Sequence, residues 1–197
     1  METSGNQLFP VFFRMDKLQL LIVGGGNVGF EKLGFMFRHC TNAHVTLVAP
    51  EIQKEVLALQ KKYPHQINIV RKKFEKSDVH NKDLIIAATA DYNLNRSIWE
   101  QAKQQGILIN VADTPELCDF YLSSVVKKGD LKIAISSNGK SPTLTKRVRE
   151  LLTDVLPDEI DDLIQNLAEI RDKLKGDFDS KVETLNNLTE TFKNKQQ

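Results

Sequence analysis

The chain has only two cysteines, Cys40 and Cys118, far apart and outside any CxxC spacing. They offer neither a disulfide framework nor a thiolate zinc site. His39, His44, His65 and His80 are scattered without ligand spacing, so no metal site is expected. Long apolar runs are missing too. Residues 8–13 form a short one and Arg14 follows it, which argues against a signal peptide or a membrane span. A formal net charge of +1 leaves no basic surplus for general nucleic-acid binding. Internal repeats and low-complexity tracts are also lacking. Together these absences point to a globular protein of the reducing cytoplasm.

What is present is ordinary in amount and uneven in placement. A length of 197 residues suits one good-sized domain, or one with a smaller appendage, and 41% hydrophobic with 27% charged residues suits a packed core. Residues 125–150 carry seven Lys/Arg against two acids, whereas residues 158–197 carry ten acids against six bases. A local basic stretch in a near-neutral chain suggests an anionic small molecule as ligand.

Residues 18–23, Leu-Gln-Leu-Leu-Ile-Val, are apolar and too short for a helix, and three glycines follow. They read as a buried parallel strand. A helix is predicted over 27–40, a strand over 43–49 ending at Pro50, a helix over 51–62 and a strand over 66–70. Further strands are predicted over 83–88 and 107–111, with a helix over 92–105 between them that Gly106 closes. This alternation means right-handed crossovers and a doubly wound parallel sheet, an α/β Rossmann-type domain over residues 1–112. After Asp113 the rhythm changes. Residues 121–127 and 131–136 are β-prone and joined by Lys128-Gly129-Asp130, a hairpin pattern within 113–140. The last region, 141–197, reads as helical. Ser141-Pro142 starts a helix with serine as N-cap and proline at the first position, ending near Val155 before Pro157. Ile160, Leu163, Ile164, Leu167, Ile170 and Leu174 then fall at helical spacing; Gly176 breaks the run, and Phe178, Val182, Leu185, Leu188 and Phe192 resume it.

Gly24-x-Gly26-x-x-Gly29 lies between a predicted strand and a predicted helix, the context that gives this motif its meaning. The first glycine permits the turn, the second lets a dinucleotide pyrophosphate approach, and the third lets helix and strand pack closely. The pyrophosphate would sit on the amides of Asn27 and Val28, at the positive end of the helix. An acid about 20 residues on should bind the adenosine ribose. Glu51, beside Pro50, is the nearest, and it reads equally as a first-turn charge of the next helix. No arginine stands beside the end of the second strand in the sequence, which favours NAD over NADP.

Four further stretches narrow the reading. They are Phe9-Pro-Val-Phe-Phe13, Ala87-Ala-Thr-Ala-Asp91 with Asn95, Asn110-Val-Ala-Asp113, and Ile135-Ser-Ser-Asn-Gly-Lys-Ser-Pro142. In this order the chain resembles, from about Leu8 to Leu174, the precorrin-2 dehydrogenase family, which includes the N-terminal module of bacterial siroheme synthase. The resemblance implies NAD-dependent oxidation of precorrin-2 to sirohydrochlorin, in a homodimer built through a dimerisation region at 113–140. It implies that Thr89 lies at the cofactor and that Asp113 is the catalytic carboxylate. A precorrin-2 oxidation needs a base, and a carboxylate at the end of a sheet suits that need. Read locally, Asp113-Thr-Pro-Glu116 is also a capping box with proline at a helix start. The basic stretch gains a rationale as well: Ser137, Lys140, Ser141, Lys146, Arg147 and Arg149 would meet the carboxylates of the tetrapyrrole. The sequence departs from the family at Gly29, where alanine is common, and at Glu31, where a basic residue is common. With few residues after the helical region, no attached methyltransferase domain is expected. Two other readings stay open, a dehydrogenase that is also a ferrochelatase and a non-catalytic NAD-sensing module.

Overall fold

Leu20, Leu21, Ile22 and Val23 are all buried, which only a sheet covered on both faces allows. In the computed structural model, which describes residues 5–174 and 178–189, they belong to β1 (Gln19–Val23). β1 lies in a five-stranded parallel sheet with β2 (His44–Val48), β3 (Ile67–Val70), β4 (Leu84–Ala87) and β5 (Leu108–Val111). The order is β3-β2-β1-β4-β5, so the chain reverses direction across the sheet between β1 and β4. In open α/β sheets that switch point, at the carboxyl ends of the strands, is where ligands bind.

Two helices, α1 (Asn27–His39) and α2 (Lys54–Lys62), cover one face, and α3 (Tyr92–Gln104) covers the other. Leu20 and Ile22 pack with Leu33, Phe37 and Val56 on the first face, and Leu21 and Val23 pack with Ile98 and Ala102 on the second. Each fully buried side chain of this kind contributes roughly 1.5–3 kcal/mol. The doubly wound domain expected from the sequence is therefore present.

Two boundaries differ from expectation. The second helix starts at Lys54, not Glu51, because the backbone amide of Gln53 donates to the Gly25 carbonyl at 3.0 Å and holds 51–53 against the glycine loop. The hairpin strands are β6 (Ser124–Lys128) and β7 (Leu131–Ile135), later than predicted at the first strand, with Lys128 paired to Leu131 and only Gly129-Asp130 in the turn. Tyr121 does not pair there; its hydroxyl donates to the Pro115 carbonyl at 3.2 Å.

The chain divides into two compact units. One is Val11–Leu122; the other joins Met1–Pro10 to Ser123–Gln197. The second unit holds the hairpin, α4 (Pro142–Val155), α5 (Ile160–Lys173) and α6 (Phe178–Thr189). Asp161 Oδ1 accepts the Asp130 amide at 2.7 Å and Lys128 pairs with Asp158 at 2.8 Å, which pins the hairpin turn to the start of α5. That lysine holds the Asp158 carboxyl below its ordinary range. The predicted break at Gly176 and the predicted helical residue Phe192 lie outside the described residues.

Candidate active site

The glycine loop joins β1 to α1, and each glycine meets different surroundings. Gly24 has φ +122°, and a Cβ there would lie 2.3 Å from the Ala88 carbonyl oxygen at the end of β4. A Cβ on Gly29 would lie 2.0 Å from the Gly24 carbonyl oxygen, so helix and strand touch as the motif requires. Gly26 faces open space, with nothing within 4 Å of its Cβ position. The first turn of α1 carries no acidic residue and no side-chain cap, which leaves its positive end available to an anion. The contacts at Gly24 and Gly29 are the turn's own packing, while the open Gly26 and the uncapped helix start are what a pyrophosphate needs. The residues fit a dinucleotide.

Gly24→Ala and Gly29→Ala should each destabilise the protein by at least ~1–3 kcal/mol, because the added methyl meets fixed backbone. Gly26→Ala should change stability little. Thermal unfolding of the three variants checks this ranking, and equal losses would overturn it.

Asn27, exposed at the start of α1, accepts a 2.8 Å hydrogen bond from Gln53 Nε2, while Val28 is half-buried against the core. Pro50 and Glu51 are exposed in the loop after β2. Glu51 lies outside the helix, whose first-turn acid is Glu55, so the helical-charge reading of Glu51 is excluded. Gly25 was not marked by the motif, yet its Cβ would lie 2.3 Å from the Glu51 carbonyl oxygen. Only glycine lets the two loops touch. The apparent lack of a nearby arginine is corrected by the strand order. Val70 pairs in register with Val48, so exposed Arg71 stands beside the end of β2, and the sequence argument against NADP loses its basis.

Thr89 follows β4 and is fixed by Asn95, which is buried. Its amide and hydroxyl donate to Asn95 Oδ1 at 3.3 and 2.7 Å, and its carbonyl accepts from Asn95 Nδ2 at 3.0 Å. Asp91 caps α3 through the amides of Asn93 and Leu94. Asp113 follows β5, is exposed, and holds φ +57°. It caps nothing. The three-residue 3-10 turn Pro115–Leu117 has Thr114 at its N-cap, with no side-chain capping bond. The capping-box reading of Asp113 is thereby corrected: Asp113 precedes the N-cap and, at φ +57°, stands outside the turn it would have capped. Gly24, Gly26, Glu51, Thr89 and Asp113 thus all stand at the carboxyl ends of the parallel strands.

The predicted substrate residues lie in the other unit. Ser141 Oγ accepts the Leu144 amide at 3.2 Å and caps α4, and Ser137 Oγ accepts the Ser141 amide at 3.0 Å. Asn138 and Gly139, at φ +54° and +73°, turn the chain between them. Lys140 is exposed, and Arg149 is half-buried. Lys146 and Arg147 lie 3.9 and 2.8 Å from the Glu150 carboxylate, which partly offsets their charge. Among the described residues no group of three or more His, Cys, Asp or Glu is placed to hold a metal ion, and no helix is long and apolar enough to cross a membrane.

Residues 11–124 match a family of NAD(P)-binding domains, and residues 128–154 match the central region of sirohaem biosynthesis proteins. The siroheme synthase of Psychrobacter arcticus is 36% identical over 177 residues, 90% of this chain and 31% of its own length. That of Nitrosococcus oceani is 33% identical over 86% of this chain and 35% of its own. The chain thus spans about a third of the curated relatives it matches. A solved structure, SirC, a precorrin-2 dehydrogenase, superposes with a TM-score of 0.73 at 27% identity, covering 92% of this chain and 89% of that one. The glycine loop and the strand ends that carry Thr89 and Asp113 lie within the matched NAD(P)-binding region, and this chain belongs to that family of NAD(P)-binding domains, followed by the central region of sirohaem biosynthesis proteins.

Proposed function

We propose that the chain oxidises precorrin-2 to sirohydrochlorin with NAD. The observation that carries this reading is the exposed, uncapped carboxylate of Asp113 on the same sheet end as the open glycine loop. NAD, when bound, supplies a hydride acceptor. Gly24, Gly26, Asn27, Val28 and Gly29 would hold its pyrophosphate and Pro50 and Glu51 its adenosine ribose, with Thr89 as a further contact. Asp113 takes the proton that precorrin-2 loses with the hydride. Ser137, Lys140, Ser141, Lys146 and Arg147 meet the substrate carboxylates, as charge-assisted hydrogen bonds and helix N-termini do for anions generally. Functionally the chain divides into an NAD-binding part over 1–112, a dimerisation part over 113–140 and a helical part over 141–197, acting in the cytoplasm.

The test is absorbance of purified protein with precorrin-2 and NAD. Appearance of sirohydrochlorin with equimolar NADH supports the reading. Unchanged precorrin-2 in a protein that binds NAD would replace it with the NAD-sensing one. The same assay with ferrous or cobaltous ion reads chelation separately.

The reading includes a symmetric homodimer. β6 and β7 form a two-stranded sheet, which alone is marginal in water. Beside it α4 exposes Leu144, Leu151 and Val155 at 57%, 60% and 68%, an apolar stripe at helical spacing. A two-fold interface would cover strands and stripe together. Light scattering should report twice the 22.4 kDa chain mass. A monomer at high micromolar concentration would overturn the dimer.

A further inference from the structure

β5 is an edge strand, and edge strands need their outward N–H and C=O groups met. Here the chain's own return does it, largely with side chains. The Asp119 amide donates to the Ile109 carbonyl at 2.8 Å, and Ile109 N–H donates to Asp119 Oδ2 at 3.0 Å. Val111 N–H donates to Cys118 Sγ at 3.2 Å, and the Val111 carbonyl, 3.2 Å away, accepts the thiol proton. Asn110, only 7% exposed, donates through Nδ2 to the Phe120 carbonyl at 2.9 Å and to Cys118 Sγ at 3.4 Å. These contacts close the loop 112–117 at its base, and Asp113 stands in that loop at φ +57°.

We infer that Cys118, with Asn110 behind it, is the positioning residue for Asp113, fixing the loop conformation that presents the carboxylate. This role rests on Asp113 being the base proposed above. A neutral thiol is the form that both donates and accepts. Burial pushes the Cys118 thiol up, which keeps it in that form. Serine preserves both functions of the group and alanine removes both. Alanine would also leave the Val111 N–H unmet where the strand becomes the loop, while the Val111 carbonyl would keep only the Thr114 amide at 3.3 Å.

The experiment compares Cys118→Ala, Cys118→Ser and Asn110→Ala in the full chain. The first readout is hydrogen exchange of the amides at 112–117 without cofactor, which reports local opening. The second is kcat against KM for NAD. Cys118→Ala and Asn110→Ala should speed exchange in that loop alone and lower kcat by about 10–100-fold, the scale of a misplaced catalytic group. KM for NAD should stay unchanged, and Cys118→Ser should restore both readouts. Normal kcat in a Cys118→Ala protein whose loop exchanges faster would overturn the positioning role. So would a kcat loss that only follows the unfolded fraction, or one that serine fails to restore. Asp113→Asn run alongside separates the two claims: if it keeps full turnover, the base reading fails, while the exchange data still decide whether the thiol closes the loop.

Discussion

Asp113→Asn should leave the protein folded and lower precorrin-2 turnover by about 10²–10⁴-fold, the usual worth of a general base. Asparagine is the apt replacement because Asp113 sits at φ +57°, a region that Asn and Asp enter far more readily than other side chains. Alanine there would mix backbone strain with the loss of the carboxylate. The Asp113 side chain caps no helix, since Thr114 occupies the N-cap of the turn that follows. Stability should therefore move by no more than about 0.5 kcal/mol, as for a surface exchange without a structural partner. The amide cannot take up a proton at neutral pH, so the loss should fall on kcat. NAD affinity should hold, because the glycine loop lies after β1 and Asp113 after β5. Near-normal turnover in the folded variant would remove Asp113 from the mechanism.

The parts of this fold that could be read in advance are those fixed by neighbours in sequence. Residues 18–23 had to be a buried strand, because the run is apolar on both alternating faces and too short for a helix. Ser141-Pro142 marked a helix start because cap and first turn are adjacent, and Ser141 Oγ does accept the Leu144 amide. Gly29 was legible because its requirement for glycine, the Gly24 carbonyl, arises within the strand–turn–helix itself, and Gly24 because its φ of +122° belongs to that same turn.

Residues whose role depends on distant partners were not. Gly25 is required by the carbonyl of Glu51, and α2 starts late because Gln53 reaches back to Gly25. Arg71 looked remote from the end of β2 until the order β3-β2-β1 put it next door. Asp113 matched a capping box letter by letter, but the 3-10 turn starts one residue later, with Thr114 at its N-cap. Cys118 gave no signal at all. A lone thiol in a string of letters has no partner, and Val111 becomes one only when the chain folds back along β5.

Gly26→Val should weaken NAD binding at least about 100-fold, roughly 2.7 kcal/mol, while leaving the fold intact. Glycine loops usually resist this kind of test, because a side chain damages the protein and the ligand site together. Gly24 and Gly29 are of that kind, with Cβ positions 2.3 and 2.0 Å from backbone oxygen. Gly26 is not. Its Cβ position has nothing within 4 Å, and its backbone, at φ −87° and ψ −163°, is extended and open to any residue. The protein itself therefore gives no steric reason for glycine at this position, which is what a site kept open for a ligand requires. If that ligand is a pyrophosphate on the first amides of α1, valine would hold it off and cost about two charge-assisted hydrogen bonds, each worth ~1.5–3 kcal/mol. Calorimetric titration with NAD, beside a melting curve for the same sample, tests this directly. Unchanged affinity in a folded Gly26→Val protein would mean that no pyrophosphate lies against this glycine, and the loop would then be a packing turn only.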